Sequence, residues 1–316
     1  MGNNPVLKPP LWRLCLMELR APFLLASFIP VLVGTALAFH DIGIWNWPRF
    51  ILAASAIMLI HAGANVANDY FDHLNGNDAA NTEFVRPFTG GSRMIQNGLM
   101  LPGQVLTLSV ICLLFGGNLG LFLVVLTGWP VLLLAAAGIA GGVWYSAPPL
   151  KLASRGLGEL VIALNFGILP VLGAYYVQTG RFDVRALLFG VPLGVMVAAI
   201  VFINQFQDYA ADKAVGKRNW VVRLGRKRSA GVYRVMMLAW PVALIFAALR
   251  TDGSIRFFLP ALLPAIIGSL ASARVRRDFD RPVCLVPANA MTIIVHHLAG
   301  VLIAGALIAR RLMAGG

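Results

Sequence analysis

Long apolar runs are the feature that most narrows what this chain can fold into. Hydrocarbon offers no water to backbone N–H and C=O groups, so a run of about 18 or more apolar residues with few charges must form a bilayer-spanning helix. On that rule the 316 residues predict about nine such helices, at roughly 22–40, 50–67, 104–124, 128–144, 159–178, 186–205, 232–249, 257–273 and 288–309. The third and fourth are nearly continuous and divide at Gly128, Trp129 and Pro130, because one helix of that length would overshoot a hydrocarbon core of about 30 Å. The expected fold is a single all-α polytopic membrane domain over 1–316, a bundle of nine helices. Composition agrees: 59% hydrophobic and 12% charged residues, with a mean hydropathy of +0.77, are too apolar for an ordinary soluble domain.

The net charge of +13 is read as topology, with the lipid bilayer and not nucleic acid as the partner. With the N-terminus inside, most lysines and arginines fall on the cytoplasmic side, among them Lys8, Arg20, Arg86, Arg93, Lys151, Lys217 and Arg223. Only Arg49, Arg181, Arg185, Arg250, Arg256, Arg310 and Arg311 fall opposite, which fits a protein of the cytoplasmic (inner) membrane. Pro9, Pro10 and nearby charges break the cytoplasmic segment 1–20, so no cleavable signal peptide is evident and the first span is expected to stay as an anchor. Cys15, Cys112 and Cys284 lack disulfide or metal spacing. Trp129, Trp144, Trp220 and Trp240 lie near expected helix ends, where an interfacial belt would place them.

The polar residues concentrate in two long inside loops, 68–103 and 206–231, and in a shorter one, "YSAPPLKLASRGLGE", at 145–159. If the second helix continues past residue 67, Asn65, Asn68, Asp69 and Asp72 share one face; Asn204, Asp208 and Asp212 do the same on the sixth. Like charges four residues apart repel, so each stripe needs a cation to offset it. Carboxylate and amide oxygens without histidine or thiolate suit Mg²⁺, which takes one or two carboxylates and completes its shell with water and phosphate oxygens. A diphosphate is the natural third party, with basic side chains on its remaining oxygens. A solvated ionic face and an ion-coupled transporter are the alternatives; here the carboxylates lie at helix ends rather than at midspan.

"NDYFDHLNGND", "RPFTGGSRMIQNGL", "YSAPPLKLASRGLGE" and "NQFQDYAADKAVGKRNWVVRLG", in that order, resemble the UbiA superfamily of intramembrane aromatic prenyltransferases. The likeness is greatest to its MenA branch, the 1,4-dihydroxy-2-naphthoate polyprenyltransferases of menaquinone synthesis. The resemblance implies a nine-helix bundle around a central cavity capped by cytoplasmic loops, with two Asp-rich motifs holding Mg²⁺ and an isoprenyl diphosphate. It carries the metal ligands onto Asp69, Asp72, Asp208 and Asp212, which double as the catalytic residues. Asn65, Asn68, Arg86, Arg93, Tyr145, Lys151, Asn204 and Lys217 become the substrate-binding set. Many members have a further Asp where this chain has Gly76, with Asp78 two residues later.

The reaction so implied is Mg²⁺-assisted ionisation of an allylic C–O bond, followed by capture of the allylic carbon by an electron-rich aromatic acid. Gly90 and Gly91 let the backbone turn close to a phosphate. Other aromatic acceptors such as 4-hydroxybenzoate, and a different lipid-diphosphate enzyme, remain open. His296 and His297 are read as structural, and Glu159 as the partner of Arg155.

Overall fold

The computed structural model describes residues 9–251 and 255–314; Lys8 and the rest of 1–8 lie outside them. Among these residues there is helix but no strand. A short α1, Leu11–Glu18, precedes α2, Ala21–Ile42, and α3, Trp47–Leu74. After a single turn of helix, α4 (Asn77–Ala80), come α5 (Pro102–Thr127) and α6 (Pro130–Ser146). The second half comprises α7 (Gly158–Thr179), α8 (Val184–Ala214), the short α9 (Trp220–Leu224), α10 (Arg226–Leu249), α11 (Ile255–Asp278) and α12 (Pro282–Met313).

Eight helices among the described residues are long and apolar enough to cross a membrane, not the nine expected: α2, α3, α5, α7, α8, α10, α11 and α12. The missing one is the fourth. Its break at Gly128 and Pro130 is where expected, and the helix that follows has 17 residues, as many as the expected range 128–144, ending where Ala147 turns extended ahead of Pro148 and Pro149. At 1.5 Å per residue it rises about 26 Å, short of a hydrocarbon core of about 30 Å. The expected loops also shrink, because α3 continues to Leu74 and α8 to Ala214, taking both aspartate stripes into regular helix.

Consecutive helices pack side by side, and α12 closes back against α2. Two thirds of the apolar window of α8 is buried (67%), against 22% for α5, so α8 is the axis of the bundle and α5 faces lipid. Without a hydrophobic force between helices in lipid, close approach through small residues holds such bundles together. The α7–α8 seam shows it: a Cβ on Gly167 would meet Gly194 Cα at 2.2 Å, and one on Gly194 would meet the Ala163 carbonyl oxygen at 2.7 Å. Within this seam α7 widens into a π-helical stretch at Leu164–Ile168, a feature frequent at functional sites.

At the end of the bundle away from the aspartate stripes, Asp41 ties three helices together. It accepts from Tyr175 Oη at 2.7 Å and from both terminal nitrogens of Arg185, at 3.1 and 2.7 Å. Asp183 caps α8 there by accepting from Arg185 N at 2.8 Å. Trp240 corrects the expected belt: it is fully buried in the core, with Met237 and Leu244 beside it on α10.

Gly194→Val should lower the thermal unfolding midpoint in detergent, at a cost of about 1–3 kcal/mol for the overpacked seam. Gly231→Ala, where an added Cβ meets nothing within 4 Å, should leave the midpoint unchanged or raise it.

Candidate active site

A polar cavity opens at the end of the bundle where α3 and α8 carry their aspartates. Its walls come from α3 (Asn65, Asn68, Asp72), α4 (Asn77, Asp78), the 88–91 turn, α6 (Tyr145), α7 (Asn165), α8 (Asn204, Asp208, Asp212) and the segment before α9 (Lys217, Asn219). The second stripe and, Asp69 excepted, the first therefore line one space, because the two helices converge there.

What holds four carboxylates around one cavity is a set of short bonds. Lys217 Nζ sits between the stripes, 3.4 Å from Asp72 Oδ2 and 3.6 Å from Asp212 Oδ1. Burial alone would push its ammonium down, but Asp212, then Asp72, hold it well above the ordinary lysine range. Asn77 donates to Asp212 Oδ1 at 2.9 Å, Asn219 to Asp212 Oδ2 at 2.6 Å, and Asn81 to Asp208 Oδ1 at 2.7 Å. Asn219 serves twice, since its Oδ1 also caps α9 by accepting from Val222 N at 2.9 Å. Asn68 donates to Asp72 Oδ2 at 3.0 Å while its own Oδ1 accepts from Ser146 Oγ.

Asp69 faces away from this space. Its Oδ1 accepts from Arg20 Nη2 at 3.0 Å and its Oδ2 from Ser92 N at 2.8 Å. That backbone contact needs Gly91, where φ is +63° and a Cβ would come within 2.8 Å of Asp69 Oδ1. Arg20, between α1 and α2, lines the cavity although the sequence reading did not select it.

Three expected phosphate contacts lie elsewhere. Arg93 donates to the carbonyls of Asp78 and Asn81 and stacks 4.2 Å over Phe84, clamping the turn around α4. Arg86 is exposed and donates to Ser92 O; Lys151 is exposed at the start of the 152–155 turn. Arg223 is likewise spent on carbonyls, those of Arg218 and Arg155. Glu159 does not pair with Arg155: it is buried and accepts from Gln205 Nε2 at 2.8 Å and Trp220 N at 3.3 Å, while Arg155 reaches the Pro149 carbonyl. His296 is fully buried within α12 and away from the cavity walls.

The site is short of positive charge. Asp72, Asp78, Asp208 and Asp212 line it against Arg20 and Lys217, and Arg20 is already paired with Asp69. Burial, then Asp72 and Asp69, pushes the Asp78 carboxyl up to about 8. Asn77 Oδ1 and Gln205 Oε1, on two lining residues, are buried acceptors without a donor. Surplus oxygen acceptors and carboxylates, with no histidine or thiolate among them, fit a hard divalent cation. No cluster of three or more His, Cys, Asp or Glu groups preformed for a metal exists among the described residues, so carboxylates from both stripes would have to share the ion with a ligand.

A second, apolar cavity adjoins the first between α3, α5, α6 and α7, the two sharing Ala64, Gly142, Asn165 and Phe166 as common wall. Asn165, in the π-helical stretch, donates to the Gly138 carbonyl at 3.0 Å and stands at this junction.

A sequence model of the UbiA prenyltransferase family matches residues 27–286. The chain is 29% identical over 238 residues to the 2-carboxy-1,4-naphthoquinone phytyltransferase of Synechocystis sp., covering 74% of each chain. It is 32% identical over 247 residues to the 1,4-dihydroxy-2-naphthoate octaprenyltransferase of Mycobacterium tuberculosis, covering 73% of this chain and 82% of that one. The fold superposes on a UbiA homolog from Archaeoglobus fulgidus bound to DMAPP and Mg²⁺, with a TM-score of 0.63 and 15% identity over 92% of this chain and 98% of that one.

Arg20→Met should destabilise the protein by about 2 kcal/mol, because it strands the buried Asp69 carboxylate. Arg20→Met with Asp69→Asn should recover most of that loss, as a double-mutant cycle of thermal unfolding will show.

Proposed function

We infer, for a chain that belongs to the UbiA prenyltransferase family and is a prenyl-transferring enzyme of the membrane, that it transfers a polyprenyl group to 1,4-dihydroxy-2-naphthoate, with Mg²⁺ as the metal. The observation that carries this reading is the convergence of two carboxylate-bearing helix ends on a polar cavity that shares a wall with an apolar one. A polyprenyl diphosphate has the same two parts. Its head belongs among Asp72, Asp208, Asp212, Lys217 and Arg20, and its tail in the cavity walled by Ile57, Ile60, Leu134 and Leu169.

The two stripes would hold Mg²⁺ through Asp72, Asp208 and Asp212, with Asp69 supporting the first stripe from behind. When bound, the metal neutralises the charge that develops on the diphosphate as the allylic C–O bond breaks. Lys217 and Arg20 supply donors to the remaining phosphate oxygens, and Asn65 and Tyr145 complete the wall on the α3 and α6 sides. Arg86, Arg93 and Lys151 act on the diphosphate, in this reading, only when the loops that carry them close over it. The apolar wall keeps water from the allylic carbon.

The acceptor ring then forms the new C–C bond at the carbon bearing its carboxylate, which leaves as CO₂. Loss of CO₂ restores aromaticity without removal of a ring proton, so no general base is needed; among the described residues His296, buried away from the cavity, is no candidate for one. The relatives support the naphthoate acceptor, since one is named for 2-carboxy-1,4-naphthoquinone and the other for 1,4-dihydroxy-2-naphthoate, the same carboxylated ring system at two oxidation levels, while their tails differ. The excess of basic residues on the loops beside the cavity supports a cytoplasmic site.

Purified protein given a polyprenyl diphosphate, dihydroxynaphthoate and Mg²⁺ should form prenylated naphthoquinol and release CO₂. Chelation should abolish turnover, and Asp72→Ala, Asp208→Ala and Asp212→Ala should each lower it by about 100-fold or more, the scale of losing one transition-state charge contact. Product from a different acceptor alone would move the chain to another branch. Gly138→Leu, whose new side chain enters open cavity space, should slow long-tailed donors more than short ones.

A further inference from the structure

Asn204 belongs to the second stripe, one helical turn before Asp208, and lines the polar cavity. An amide in that place has two opposite uses: its oxygen can ligate a metal, or its N–H groups can bind an anion. The surrounding hydrogen bonds decide between them. Gln207 donates from Nε2 to the backbone carbonyl of Pro282 at 3.0 Å, which can only accept. That fixes which end of the Gln207 amide is which. Gln207 then pairs face to face with Asn289 on α12, Nε2 donating to Asn289 Oδ1 at 3.2 Å and Oε1 accepting from Asn289 Nδ2 at 3.2 Å. The second donor of Asn289 Nδ2 goes to Asn204 Oδ1 at 2.7 Å.

Asn204 therefore has its oxygen occupied and its Nδ2 without a partner among the described residues. Gln207 and Asn289 are each 1% exposed, so water does not compete for this chain of amides. Reversing any one of them would set two oxygens or two N–H groups against each other in a buried place, at the cost of an unmade hydrogen bond.

We propose that Asn289, held by Gln207 and the Pro282 carbonyl, is a positioning residue that turns the Asn204 amide so that its N–H groups face the cavity, making Asn204 an anion-binding donor and not a metal ligand. The anion is an oxygen of the donor's diphosphate or of the acceptor's carboxylate, and this deepens the reading given above, on which it rests. Asn204 thereby contributes to ground-state recognition, while the aspartates of the same stripe carry the metal.

The test compares Asn289→Asp and Asn204→Asp with the unaltered protein in steady-state prenyl transfer, and in thermal shift with inorganic diphosphate and Mg²⁺. Asp at 289 has no N–H to give, so Asn204 turns its own Nδ2 toward it and shows its oxygen to the cavity. Asn289→Asp should raise the KM of one substrate about tenfold or more, with kcat within about threefold. A rise for the prenyl diphosphate, with loss of the diphosphate thermal shift, identifies the diphosphate; a rise for the acceptor alone identifies its carboxylate. Asn204→Asp should do the same and leave the Mg²⁺ concentration for half activity unchanged.

Asn204→Asp that keeps both KM values and needs less Mg²⁺ would make Asn204 a metal ligand and overturn the proposal. So would Asn289→Asp with both KM values unchanged, or with kcat, both KM values and the unfolding midpoint all degraded together. If the unaltered protein transfers no prenyl group, yet Asn289→Asp abolishes its diphosphate thermal shift, the functional reading fails and the amide assignment stands.

Discussion

Two rows of carboxylates on different helices face one another across a cavity, and their mutual repulsion is the constraint on which the rest of the structure turns. Lys217 answers it directly, with one ammonium placed between Asp72 of α3 and Asp212 of α8. Asparagines answer it piecemeal, each giving a neutral N–H to a carboxylate oxygen. The balance is deliberately incomplete in chemical terms, since orphaned acceptors such as Asn77 Oδ1 remain. A site that were fully neutral and fully bonded would have no appetite for a divalent ion and a diphosphate.

This arrangement survives because the helices bearing it cannot drift. The glycine seam between α7 and α8, and the closure of α12 on α2, hold the bundle at the distances that put Asp72 and Asp212 within reach of one lysine. The Asp41–Arg185 cluster fixes the far ends of α2, α7 and α8. The polar end is then free to be loop-rich, because rigidity comes from elsewhere in the same helices.

Both aspartate stripes were legible in the sequence, since i, i+4 spacing on a continuing apolar helix leaves little freedom about which residues share a face. The wall opposite them was not. Asn77 meets Asp212 across 135 residues and Asn81 meets Asp208 across 127, and nothing local in either asparagine announces a partner so distant. Arg20 escaped notice for the same reason, its partner Asp69 lying 49 residues on. The tasks of the arginines near the site are not legible in the sequence, because a cation at a membrane surface serves equally to bind phosphate or to tie down carbonyls, as Arg93 and Arg223 do here. Hydropathy found the break before α6 and its extent of 17 residues; the count of nine came from taking so short a helix for a full span.

The shared wall between the polar and apolar cavities has a consequence for how such an enzyme diversifies. Among the described residues, only Ala64, Gly142, Asn165 and Phe166 belong to both spaces. In the proposed reading, residues that would touch the prenyl chain's far end are thus separate from those that would hold the reacting end. Mutation can reshape one compartment while selection holds the other constant, and the two can be inherited as nearly independent traits. Phytyl and octaprenyl specificities among relatives of similar identity are the kind of divergence that this division of labour permits.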